Sequence, residues 1–140
     1  LLPFAHLKTH ATEISMHYVE IITALVVLQY LFFAAMVGRA RGRYGVKAPA
    51  VTGHDGFERM YRVQMNTLEL MVALIPSMLI AARFWPAEWV AGIGAVYLVG
   101  RLIYWRAYVG KPASRGLGFG LSMLPVLVLL LMALAGALLR

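Results

Sequence analysis

Four apolar runs leave this chain little choice of fold: residues 18–37, 62–82, 89–108 and 117–139. Crossing a bilayer takes roughly 20 predominantly apolar residues, and each run is about that long. Backbone in lipid must satisfy its own hydrogen bonds, so the runs are expected to be helices. The connections between them are short, which makes neighbouring helices antiparallel. The expected fold is therefore all-α, an integral membrane antiparallel four-helix bundle occupying residues 16–140 as one domain. Residues 1–15 are polar, carry Lys8 and have no apolar core or small-residue cleavage pattern. They do not resemble a signal peptide and read as a non-native or disordered N-terminal extension.

The net charge of +7 could suggest nucleic acid, but its placement argues against that. Arg39, Arg41, Arg43, Lys47, Arg59 and Arg62 flank the first loop, and Arg101, Arg106, Lys111 and Arg115 flank the third. With four spans these two loops share a side, and the positive-inside rule makes that side cytoplasmic, with both termini opposite. Cysteine is absent, so any thiol chemistry must use a thiol that a ligand brings. The histidines His6, His10, His17 and His54 are too scattered to form a metal box, and no metal is expected.

Polar residues inside the spans carry the functional signal. Arg62, Asn66 and Glu69 are spaced i, i+4, i+7 and share a helical face. An ionisable group within lipid costs at least ~2.5 kcal/mol even on lenient insertion scales, so such a stripe is expected to bind something polar. Arginine suits a carboxylate and glutamate an ammonium, so a zwitterion fits; an internal Arg–Glu pair is the bland alternative. Arg101, Tyr104 and Tyr108 also share a face and could close a pocket, or simply belong to the interfacial aromatic belt. Arg115 opens the last span. A cation there could stabilise a thiolate, or could be one more topological charge. Lowering a thiol pKa from ~8.5 to ~6.5 raises the thiolate fraction at neutral pH from ~3% to about three quarters. In an up-down bundle, Arg41, the stripe from Arg62, the tyrosines and Arg115 all fall at the same membrane face.

The segments FERMYRVQMNTLE and GRLIYWRAYVGKPASRGLGF resemble the MAPEG family, the membrane-associated proteins in eicosanoid and glutathione metabolism. The similarity runs from about Met16 to the C-terminus and is closest to the branch holding microsomal glutathione transferases and leukotriene synthases. It implies a homotrimer with glutathione bound between subunits and a lipophilic co-substrate entering from the membrane. It implies that Arg62, Gln64, Asn66 and Glu69 contact glutathione, joined by Arg101, Tyr104 and Tyr108. It implies further that Arg115 stabilises the thiolate, with Arg41 as the first of a basic pair. The second member of that pair falls at Gly42, where Arg43 could supply the charge one residue later. The tyrosine expected after the motif glutamate is Leu70, which weakens any claim to leukotriene synthesis. The resulting expectation is a glutathione transferase, with glutathione peroxidase activity open beside it, in a membrane whose short Ala- and Gly-rich protein suggests a bacterial inner membrane. The family also has non-enzymatic members, so a ligand-binding scaffold stays open, as does a small transporter.

Overall fold

The computed structural model describes residues 2–140. Four helices follow in order: α1 (Leu2–Tyr44), α2 (Asp55–Phe84), α3 (Ala87–Gly110) and α4 (Gly116–Leu139), with a 3-10 turn at Pro112–Ser114 before the last. All four are long and apolar enough to cross a membrane. Large apolar side chains such as Leu28, Leu31, Val72, Val99, Leu124 and Leu131 lie exposed on the outer surface. Water would penalise that surface, whereas lipid matches it. The chain is an integral membrane protein.

The helices overrun the apolar runs. α2 begins at Asp55, ahead of the apolar run at 62–82, because the sequence supplies a start signal there. His54 Nδ1 accepts from the Gly56 N–H at 2.9 Å, and Asp55 and Glu58 occupy the positively polarised first turn. α1 has 43 residues, about 64 Å at 1.5 Å each, against ~40–45 Å for a whole bilayer. The surplus is N-terminal. Residues 3–15, read from sequence as an extension, form helix continuous with the span, and 3–14 are exposed throughout. No glycine or proline occurs between Pro3 and Gly38 to stop the helix, and Ser15 Oγ donates to the Glu88 carboxylate of α3.

Two apolar clusters hold the bundle. The larger fills its middle and draws on all four helices, with Val26, Leu74, Met78, Tyr97 and Leu129 among its members. The smaller lies at the end carrying the first and third loops. It joins Phe33 and Val37 of α1, Phe57 and Val63 of α2 and Tyr104 of α3, with nothing from α4. There α4 presents Gly118 and Ser122 to its neighbours, both buried. A Cβ on Gly118 would lie 2.4 Å from the Tyr104 backbone nitrogen, and one on Gly100 would lie 2.6 Å from the Leu121 carbonyl carbon. α3 and α4 thus meet backbone to backbone, as small residues permit in membrane bundles. That contact fixes where Tyr104 stands relative to the turn carrying Arg115.

Candidate active site

Arg62 and Asn66 of α2, Tyr104 and Tyr108 of α3, Arg115 and Phe119 line one cavity of ≈ 400 Å³. Its origin is local. Arg62 and Asn66 are one turn apart on α2, Tyr104 and Tyr108 one turn apart on α3, and Arg115 and Phe119 one turn apart where α4 starts. The tyrosine rings stack at a centroid distance of 5.4 Å and an interplanar angle of 14°, forming a flat wall. Phe119 went unnoticed in the sequence; its i+4 spacing from Arg115 was the available signal.

The charges are unevenly matched. Arg62 donates to both Glu69 carboxylate oxygens, at 3.1 and 3.4 Å, a bidentate pair that holds the guanidinium along α2. Ion pairs among the described residues are His10–Glu13, His17–Glu20 and Arg62–Glu69. Arg115 belongs to none of them, and its Nη1 reaches only the Pro112 carbonyl, at 3.5 Å. It also stands at the N-terminus of α4, where unpaired N–H groups add positive potential. Asn66 Oδ1 is buried without a partner, which leaves the amide nitrogen as the group Asn66 offers the cavity. The cavity therefore combines a fixed cation, a less constrained cation, an amide and an aromatic wall. Chemically it suits an anion that also needs donors and an apolar flank.

Other candidates from the sequence lie elsewhere in the chain. Glu69 does not line the cavity and reaches it only through Arg62. Gln64 sits two residues from both Arg62 and Asn66, about 200° round the helix, and its Nε2 donates to Tyr30 Oη of α1 at 3.4 Å. Arg41 Nη1 donates to the Ala50 carbonyl at 2.7 Å, and its guanidinium carbon lies 4.7 Å from the Phe57 ring centroid. Its work within one chain is to fold the first loop against α2. Arg43 lines a separate depression with Arg39 and Arg106. Arg101 is 0% exposed. Its guanidinium carbon lies 4.2 Å from the Tyr104 ring centroid, behind the wall and outside the cavity lining. Arg101 supports the tyrosine and does not touch the cavity.

The sequence that builds this site has counterparts among known proteins. The model of the MAPEG family matches residues 19–135. The chain belongs to the MAPEG family. This MAPEG chain is 39% identical to the uncharacterized protein sll1147 of Synechocystis, over 88% of this chain and 90% of that one. It is 36% identical to microsomal glutathione S-transferase 2 of Homo sapiens, covering 84% of this chain and 78% of the relative. Leukotriene C4 synthase of Bos taurus is 34% identical over 67% of this chain and 63% of its own length. The matched segment contains every cavity residue, from Arg62 to Phe119.

Proposed function

We propose that this MAPEG chain is a membrane-bound glutathione transferase. The observation that carries the reading is Arg115, a guanidinium outside any ion pair, in the same cavity as Arg62, Asn66 and the stacked tyrosines. Glutathione has carboxylates, an ammonium and a thiol, and the cavity's volume falls in the ~300–1,000 Å³ range of small-molecule sites. Arg62 takes a carboxylate while Glu69 holds the guanidinium in place. The Asn66 amide N–H donates to a carbonyl of the tripeptide, and Tyr104 and Tyr108 enclose its stem. Arg115 and the α4 N-terminus stabilise the sulfur as thiolate. The thiol proton passes to water, and the thiolate forms an S–C bond with an electrophilic carbon, whose leaving group departs with the bonding electron pair. Positioning and charge stabilisation supply the catalysis. The lipophile arrives along α4, where Leu117 and Phe119 are exposed beside Arg115. The name of one relative, microsomal glutathione S-transferase 2, supports the same activity.

Titration of the bound thiol tests this reading. Glutathione added to detergent-solubilised protein should produce a saturable thiolate absorbance at neutral pH, titrating near ~6.5 instead of ~8.5. Because the bound pKa is the lower one, affinity should rise with pH between those two values and level off above the higher. Binding without thiolate would favour a non-catalytic scaffold, and no saturable binding would sink the assignment.

We further infer a homotrimer, with the basic face cytoplasmic. The Arg62 and Glu69 side chains are 48% and 53% exposed in the single chain. The pair climbs ~10 Å from the start of the span, about a third of the hydrocarbon thickness. Facing lipid it would be costly, and a neighbouring copy would cover it. Arg41 and Gln64, turned away from their own cavity, could then serve only a neighbour's. Sedimentation equilibrium in detergent should return three chains per particle. A monomeric particle that still binds glutathione would overturn the trimer and leave the transferase reading standing.

A further inference from the structure

The ends of α1, α2 and α3 enclose a second depression, ≈ 250 Å³, that shares no residue with the candidate active site. Arg39, Arg43 and Arg106 stand around it, Trp105 and Tyr44 form walls, and Met36 and Met60 line its base. Two of the cations are braced by aromatic rings: Arg43 lies 5.3 Å from the Tyr44 centroid and Arg106 5.4 Å from that of Trp105. The ion pairs among the described residues involve none of these arginines. The acids nearest in sequence, Asp55 and Glu58, serve the first turn of α2.

The face below the depression separates this site from a generic basic surface. Leu28, Phe32, Met36, Arg39 and Arg43 recur at steps of three and four along α1, so they form one stripe. Its lower part is apolar and open, with Leu28 and Phe32 exposed, and Phe32 meets Trp105 edge-on at 5.4 Å. From Arg39 down to Leu28 the stripe runs about 16 Å, against ~15 Å for the hydrocarbon of one leaflet. Cations sit at headgroup height, and an apolar track descends from them to the mid-plane.

We propose that this groove binds an anionic glycerophospholipid. Its phosphodiester lies among Arg39, Arg43 and Arg106, and one acyl chain follows Met36, Phe32 and Leu28. The phosphate is the shared chemistry of a lipid headgroup and a free anion; the apolar track commits the site to the lipid. An arginine at the membrane surface contributes roughly fivefold to affinity for an anionic lipid, so losing two should weaken binding about 30-fold.

The test is native mass spectrometry of the detergent-solubilised full chain, titrated with palmitoyl-oleoyl phosphatidylglycerol or its phosphatidylcholine counterpart. Phosphatidylglycerol should bind preferentially, the Arg39→Gln/Arg106→Gln variant should lose that preference, and Arg83→Gln, on the opposite face, should retain it. Thermal melts of the three proteins report folding, and Arg39→Lys/Arg106→Lys, which keeps the charge, should retain part of the preference if the glutamine variant melts early. Equal binding of the two lipids by the native chain would overturn the proposal. So would displacement of phosphatidylglycerol by inorganic phosphate at comparable concentration, which would mark a free-anion site.

Discussion

Replacing Arg115 by alanine should lower kcat about 10²-fold, while at pH 7 glutathione Kd changes by no more than about fourfold. The asymmetry follows from the division of labour in the cavity. Arg62, clamped by Glu69, holds a carboxylate equally well before and during the reaction, so it contributes uniform binding. Arg115 faces the charge that matters for reactivity, the sulfur. The expected loss sits at the low end for removal of a preorganised charge because the Arg115 side chain is exposed and partly screened by water. Arg115→Lys should recover part of the rate, since it keeps a cation at the α4 N-terminus but loses the planar fork. Stopped-flow formation of the thiolate band, read beside steady-state kinetics, separates the two quantities. Equal losses in kcat and affinity would remove Arg115 from the thiolate role and make it a binding group.

Gly118→Ala should destabilise the bundle by about 1–3 kcal/mol and weaken glutathione binding, although residue 118 is outside the cavity lining. Its Cβ would stand 2.4 Å from the Tyr104 backbone nitrogen and 2.5 Å from the Tyr104 Cα. Backbone atoms cannot rotate away as a side chain can, so α3 and α4 must separate. Separation carries Arg115 and Phe119 away from Tyr104 and Tyr108, opening the wall of the site. Gly120→Ala, in the same helix, is the matched control, because a Cβ there meets nothing within 4 Å. Alanine should stabilise that position slightly through lower backbone entropy in the unfolded chain. Thermal melts in detergent and glutathione titrations of both variants test the contrast. Similar behaviour of the two would show that the close approach of α3 and α4 does not hold the site together.

The dependence of the site on Gly118 explains why only part of it was legible beforehand. Arg62 and Asn66 could be paired because helical periodicity is a local rule, and both line the cavity. Tyr104 and Tyr108 followed the same rule. Periodicity also grouped Arg101 with the tyrosines, yet Arg101 turns inward behind Tyr104 while the ring faces the cavity. A shared face spans a wide arc, and which edge of it meets a neighbour depends on where the neighbour packs. Gln64 shows the same limit from the other side: the motif includes it, but the helix turns it towards Tyr30. Arg41 and Arg43 are two residues apart in one helical turn, so one folds the loop and the other faces an unrelated groove.

By itself, the sequence determined the four spans, their antiparallel order and the membrane face at which the arginines gather. These follow from hydrophobicity over about 20 residues and from charge counted along the chain, both local quantities. Family membership was legible in two short motifs for the same reason. Tertiary structure decided which of the similar arginines meets the cavity, which supports its wall, which ties a loop and which lines a second groove. That choice rests on how closely α3 and α4 approach through Gly100 and Gly118, a contact between residues distant along the chain that no periodicity within one helix encodes.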